Sequence, residues 1–183
     1  VTLGMALVGG YLLVFQRDRF RIRWRDLWCF FGTGICSLLL FTLCYFTGMT
    51  KTSLSVIAVL LYTAPFFVTV LSVFLFREKL NAPKAAALAV TFLGCFLVAG
   101  IGSDTAVSLE GFLLGIGSGF FYALYSIFGR YAIRRGYDSW TITFYTFAFA
   151  SLGCAFLTDW PSIGTAIGAD PGLWIWVILL GLL

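Results

Sequence analysis

Residues 54–76 read LSVIAVLLYTAPFFVTVLSVFLF, and this run of 23 residues contains no charged side chain. A helix needs about 20 mainly apolar residues to cross the hydrocarbon core of a bilayer. Only helices and closed barrels span lipid, because the backbone groups must be paired internally, and the run lacks the alternation of a barrel strand. The run therefore predicts a membrane-spanning helix.

Similar apolar runs follow one another along the whole chain of 183 residues. Charged residues make up 11% of it, against about 25% in soluble domains, so we expect its solvent to be lipid. We predict an all-α integral membrane protein. Because the chain begins at Val1 and its last run is short, we also expect the native protein to be longer. The runs are approximately 1–16, 27–49, 54–76, 84–101, 111–129, 139–158 and 172–183.

The basic residues are concentrated in alternate connecting segments. Eleven of the 12 Lys and Arg residues lie in segments 17–25, 77–84 and 130–135, and only Lys51 lies elsewhere. Alternate connections share one side of a membrane, and an excess of Lys and Arg marks the cytoplasmic side. This topological reason accounts for the arginines of segment 17–25, so we expect the lipid bilayer and not nucleic acid as their partner.

The side chains that most often bind metals or catalyse reactions are scarce or scattered. The chain has no His, and its 5 Cys residues all lie inside apolar runs without a Cys-x-x-Cys pair. Such cysteines are usually small buried side chains. We therefore predict no metal site, no cofactor and no enzymatic activity, since no cluster of nucleophilic or acidic residues has usable spacing.

The dipeptide Leu-Trp opens two of the apolar runs, at Leu27 and at Leu173. Five predicted helices separate the two copies, and an odd number of helices reverses the orientation. The segment before Leu27 is rich in arginine, whereas segment 159–171 has two Asp residues and no Lys or Arg. Opposite charge at equivalent positions is the pattern of an inverted repeat.

Segment 52–100 resembles the EamA domain of the drug/metabolite transporter superfamily. The matching features are Pro65 in mid-helix, Glu78 followed by Leu80, and a small-residue helix that contains Gly94. Segment 110–135, with GFFYALYSIFGRYAIRR, resembles the opening helix of that family's second repeat. The chain departs from the family at Arg77, where members often carry Gly.

The resemblance implies ten helices in two inverted five-helix repeats, of which this chain would contain helix 2 to part of helix 8. The first repeat would cover residues 1–101, an external linker 102–109, and the second repeat 110–183. The implied function is a secondary transporter in the bacterial plasma (inner) membrane, with export of small metabolites such as amino acids. A drug or nucleotide-sugar carrier and a non-transporting scaffold remain alternatives, and the coupling ion and oligomeric state stay open.

One face of run 54–76 is small or polar, while its other positions are mostly large and apolar. The spacing of three and four residues places these side chains on one helix face. A packing seam between helices explains such a stripe, and so does a cavity that holds a small-molecule substrate. Tyr62 favours the cavity, because Tyr is too large for close backbone approach. Pro65 favours a kink, and the candidate substrate-binding residues of this run are Tyr62, Pro65 and Thr69.

Run 111–129 carries a second stripe of the same kind. Its glycines, Gly111, Gly115 and Gly119, form a small-xxx-small pattern that is typical of close helix packing. The candidate substrate-binding residues here are Ser118, Tyr122 and Tyr125, and we predict that Tyr62 and Tyr122 face one common cavity.

Glu78 is the acidic residue that the family resemblance singles out. It precedes Asn81, a plausible helix cap, and Pro83, which suits a first helical turn. We predict a structural role in which Glu78 pairs with Lys79 or Lys84. No run has a charged residue near its middle, so a carboxylate for proton coupling is not visible in this chain.

Overall fold

The structure, a computed structural model, describes residues 2–15, 22–79, 81–98 and 108–158, and all regular structure in these ranges is helical. Four helices in these ranges are long and apolar enough to cross a membrane: Trp24–Lys51, Leu54–Phe76, Leu109–Arg134 and Ser139–Leu157. The predicted all-α membrane class is confirmed, whereas run 172–183 and most of the predicted linker lie outside the described residues. The helices are α1 (Thr2–Phe15), α2 (Trp24–Lys51), α3 (Leu54–Phe76), α4 (Ala82–Val98), α5 (Leu109–Arg134) and α6 (Ser139–Leu157).

Polar residues that precede the apolar runs fix where three of these helices begin. The Ser108 side chain accepts the amide hydrogen of Gly111 at 3.1 Å, and Ser53 accepts that of Val56 at 3.3 Å. Asp138 caps α6 in the same way. A cap of this kind stabilises a helix by about 1 kcal/mol, because it satisfies an amide that has no partner within the helix.

α3 consists of two halves, Leu54–Leu61 and Ala64–Phe76, which meet at Tyr62 and Thr63. Pro65 has no amide hydrogen to donate to the carbonyl four residues earlier. At the same break, the Thr63 hydroxyl donates to the Leu60 carbonyl at 2.7 Å. The helix is therefore interrupted just before Pro65, the residue from which a kink was predicted.

The middle of α2, residues Gly32–Leu39, is wound as a π-helix and packs against α5 and α6. Its buried Thr33 hydroxyl donates to the Phe30 carbonyl and accepts a hydrogen bond from Thr146 of α6 at 2.8 Å. π-helical segments are rare and often lie near functional sites. This one brings α2 and α6 together through hydroxyl groups in an apolar surrounding.

α5 is the central helix of the described bundle. It packs against α2 and both halves of α3, whereas α6 packs against α1 and the π-helical segment. Glycines allow this closeness: a Cβ at Gly119 would lie 2.6 Å from the Thr63 hydroxyl, and one at Gly34 would lie 2.5 Å from the Phe149 Cβ. The predicted tight packing of the α5 glycines is therefore confirmed.

Candidate functional site

A cavity with a volume of about 370 Å³ lies between α3, α4 and α5. We call it the charged cavity. Its apolar wall includes Val68, Val73 and Leu88. Its polar lining residues are Thr69, Ser72, Glu78, Lys79, Lys84, Thr91 and Arg130.

Two smaller cavities lie on the other side of α5. The hydroxyl cavity, about 100 Å³, lies between α2, α5 and α6, and the intermediate cavity, about 220 Å³, lies between α5 and α6. Tyr125 and Thr143 line both, so the two adjoin. Arg130 lines the intermediate cavity as well as the charged one. The polar lining residues of the hydroxyl cavity are Ser37, Tyr122, Tyr125, Thr143 and Thr146.

The structure divides the predicted substrate-binding residues between these cavities. Pro65 and Thr69 line the charged cavity, whereas Tyr122 and Tyr125 line the hydroxyl cavity. Tyr122 also packs against the Phe41 ring of α2, with ring centroids 5.6 Å apart.

The two remaining predicted residues line none of these three cavities. Ser118 is fully buried and its hydroxyl donates to the Gly115 carbonyl at 2.7 Å. Tyr62 is exposed at the break in α3. None of the three cavities is therefore lined by both Tyr62 and Tyr122, which were predicted to share one.

Glu78 is the centre of an ionic cluster at one end of the charged cavity. One of its oxygens accepts a hydrogen bond from Arg130 of α5, and the other accepts one from Lys84 of α4 at 3.2 Å. These two hydrogen bonds hold the pKa of the Glu78 carboxyl below its usual range. The predicted pairing with Lys84 is confirmed, and Arg130 adds a link from the end of α3 to α5.

A second ionic cluster lies at the same end of the bundle. Asp26, which is buried at the start of α2, forms an ion pair with Arg135 and accepts a hydrogen bond from the Tyr137 hydroxyl at 2.7 Å. The Arg23 amide donates to that hydroxyl at 3.1 Å. A buried carboxylate requires such partners, so this cluster fastens the α5–α6 connection to α2.

The opposite end of the bundle carries a different pair of contacts. Lys51 at the end of α2 forms a salt bridge with Glu110 at 3.1 Å, and its carbonyl accepts a hydrogen bond from the Ser108 hydroxyl at 3.0 Å. The start of α2 and the ends of α3 and α5 thus lie at one end of the bundle, and Lys51 lies at the other. The described parts of the three basic segments share one end, as their alternation predicted.

Sequence reasoning did not identify Arg130, Arg135 or Asp26 as paired residues. The sequence did show that the three residues lie on one side of the membrane. Arg130 and Arg135 belong to basic segment 130–135, Asp26 directly follows basic segment 17–25, and both segments were predicted on the same side. This pattern gives only the side, since hydropathy does not show which helices are neighbours.

Comparisons with known proteins identify a family that fits an apolar helical bundle. The model of the EamA-like transporter family matches residues 1–100 and 109–183. An uncharacterized transporter of Archaeoglobus fulgidus is 31% identical over 137 residues, which cover 75% of this chain and 46% of that protein. A second uncharacterized transporter of the same organism is 29% identical over 163 residues, 88% of this chain and 56% of that protein.

A bacterial transporter is similar to a comparable share of the chain. The uncharacterized transporter YxxF of Bacillus subtilis (strain 168) is 26% identical over 141 residues, 75% of this chain and 44% of that protein. The chain therefore spans about half the length of the curated relatives it matches, and no solved structure matches it. Since the family model matches nearly all of the chain, the protein belongs to the EamA-like transporter family and is an integral membrane protein.

Proposed function

We propose that the protein is a secondary transporter that exports small metabolites such as amino acids by alternating access. The observation that carries this proposal is the charged cavity, a space of about 370 Å³ with polar lining inside an apolar helical bundle. Binding sites for small molecules commonly have volumes of about 300–1,000 Å³. A cavity of this size can hold a small solute such as an amino acid or a short organic acid.

The proposed architecture has ten helices in two inverted repeats, with the boundary between repeats in residues 102–109. The reversal of charge between the segments before Leu27 and Leu173 supports it. The packing supports it too, because α5 would open the second repeat and lies against α2 and α3 of the first. Transporter sites form where such repeats meet, and the three cavities border α5.

The proposed substrate-binding residues are Pro65 and Thr69 in the charged cavity, and Tyr122 and Tyr125 in the hydroxyl cavity. Arg130 lines the charged cavity and the intermediate cavity, and Tyr125 lines the intermediate cavity and the hydroxyl cavity. This shared lining supports one substrate path along α5. We place the basic end of that path in the cytoplasm of a bacterial cell, because Lys and Arg favour that side.

Transport by the purified protein tests the proposal. The protein, reconstituted in proteoliposomes, should move at least one radiolabelled amino acid or short organic acid across the membrane faster than empty liposomes do. If no solute of a broad panel, including drugs and nucleotide sugars, is moved, the transporter proposal fails and the scaffold alternative is favoured.

The substitution Tyr122→Phe tests the proposed path. It removes only a hydroxyl that lines the hydroxyl cavity, so a lost hydrogen bond to substrate should weaken apparent substrate affinity about 2- to 13-fold. Tyr45→Phe is the matched control, since Tyr45 packs against Phe41 and Phe46 and lines none of the three cavities. Equal transport kinetics for both variants, with normal folded yield, would show that Tyr122 is a packing residue.

A further inference from the structure

The charged cavity holds more cationic than anionic side chains. The segment after α3 contributes Glu78 and Lys79 to its lining, α4 contributes Lys84, and α5 contributes Arg130. Among the described residues, no second carboxylate lines it. Cavities lined by an excess of one charge attract solute groups of the opposite charge. This cavity therefore favours a solute that carries a negative group.

The two cations that bind Glu78 retain the capacity to bind a second carboxylate. Arg130 donates to Glu78 through one terminal nitrogen, and the Lys84 ammonium donates one hydrogen bond to Glu78, at 3.2 Å. A guanidinium has five N–H donors and an ammonium has three. The side chains of Arg130 and Lys84 are 38% and 52% exposed, so a solute can reach them.

Apart from Lys79, the rest of the cavity lining is uncharged. The hydroxyls of Thr69 and Thr91 donate to carbonyls of their own helices, each at 2.8 Å. Their oxygen lone pairs can still accept hydrogen bonds, and the neighbouring wall, including Val68 and Leu88, is apolar. This part suits the neutral body of an amphipathic solute.

We propose that Arg130 and Lys84 bind the carboxylate of a small amphipathic solute, which competes with Glu78 for these two cations. The neutral body of the solute lies toward Thr69 and Thr91. When the solute is an amino acid, Glu78 released from Arg130 faces its ammonium group. This inference rests on the proposed transport function and names the group by which the substrate is recognised.

Ligand-dependent thermal stability of the purified protein in detergent tests the inference. The probes are the proteinogenic amino acids, 4-methylpentanoate (a carboxylate without an amine) and isopentylamine (an amine without a carboxylate). At least one carboxylate probe should raise the Tm. Arg130→Gln and Lys84→Gln should each weaken its apparent affinity about 10- to 100-fold, because charge-assisted hydrogen bonds are lost.

Arg134→Gln is the matched control. Arg134 lies on the same helix and carries the same charge. Like Arg130, it lies over the Phe76 ring, with its guanidinium 4.3 Å from the centroid against 4.6 Å for Arg130, but it does not line the charged cavity. This variant should bind the carboxylate probe with unchanged affinity. Equal losses in Arg130→Gln and Arg134→Gln would overturn the inference, because a general change in surface charge would then explain both.

Glu78→Gln should have an effect that a purely structural role of the Glu78 ion pairs would not produce. Removing the competing carboxylate frees Arg130 and Lys84, so 4-methylpentanoate should bind more tightly than to the unaltered protein. Weaker binding of this probe to Glu78→Gln would overturn the competition with Glu78. If Arg130→Gln does not fold, Glu78→Gln and Lys84→Gln still decide the question.

Transport assays separate this inference from the proposed function. Binding of no carboxylate probe, or of isopentylamine alone, overturns the carboxylate site. If proteoliposomes nevertheless move a solute without a carboxylate, the protein is a transporter of a different substrate class. If a carboxylate probe binds with the expected effects of the variants but is not moved, the binding site stands and the transport proposal fails.

Discussion

Arg77 adopts the left-handed backbone conformation that ends α3. Its φ of 53° is the one positive φ of a non-glycine residue in the described ranges. This conformation costs an L-residue roughly 1–2 kcal/mol, because Cβ approaches the following carbonyl oxygen. Glycine has no Cβ, which gives a physical reason for the Gly that members of the family often carry at this position.

The comparison of Arg77→Gly with Arg77→Ala measures this cost. Both variants lose the exposed guanidinium, so they differ only in the Cβ atom. The Gly variant should be more stable than the Ala variant by about 1 kcal/mol, since relief of the left-handed strain exceeds the extra freedom of Gly in the unfolded chain. Thermal unfolding in detergent gives the difference, and an Ala variant of equal or higher Tm would contradict it.

The contacts of Glu78 show what can be predicted from sequence at the scale of single residues. Its pairing with Lys84 was predicted because the two residues are close in the chain, and the structure confirms it. Its bond to Arg130 was not predicted, since Arg130 is 52 positions away on another helix. Hydropathy shows at which end of the membrane a side chain lies, but not which helix lies opposite.

At the scale of helices, the predicted polar stripes of α3 and α5 border different cavities among the three described, and none of these three is lined by both Tyr62 and Tyr122. A stripe with helical spacing stays on one face only while the helix is continuous. The break at Tyr62 and Thr63 interrupts α3, and only the second half, with Pro65 and Thr69, lines the charged cavity.

The α5 stripe changes partner along its length. Near its start Gly115 packs against Leu60 of α3, whereas Tyr122 packs against Phe41 of α2. Which part of a stripe packs and which part borders a cavity depends on where the neighbouring helices cross, and the sequence of one helix does not contain that information.

Gly119→Leu tests the close contact between α5 and the break in α3. A Cβ at this position would lie 3.2 Å from the Leu60 carbonyl oxygen and 3.3 Å from the Ala64 amide nitrogen, and these backbone atoms cannot rotate away. Overpacking of this kind costs about 1–3 kcal/mol or more. We therefore expect a lower Tm and a lower folded yield in detergent.

The control for this substitution lies on the same helix. A Cβ at Gly129 meets no atom within 4 Å, so Gly129→Leu should change the Tm much less. If the two variants had equal stability and equal yield, the tight contact at Gly119 would be refuted.

At the scale of the whole molecule, the ionic contacts give the bundle two distinct ends. The Asp26–Arg135 and Glu78–Arg130 pairs mark one end, and the Lys51–Glu110 pair marks the other. The class of fold and the grouping of the basic segments could be predicted, because both follow from the bilayer and its charge asymmetry. The arrangement of helices around α5 could not, because it depends on the fit of particular side chains.

The orientation of these two ends in the membrane is the last prediction. The end that contains the α5–α6 connection carries most of the basic residues, so the positive-inside rule places it in the cytoplasm. In a cysteine-free background, Leu109→Cys and Ser139→Cys each introduce one exposed thiol, at the start of α5 and the start of α6. A membrane-impermeant maleimide added to intact cells should label Leu109→Cys at once and Ser139→Cys only after the cells are permeabilised.

Labelling of Ser139→Cys alone in intact cells would reverse the orientation, and with it the proposed cytoplasmic entry to the charged cavity. Labelling of both would show that α5 does not cross the membrane.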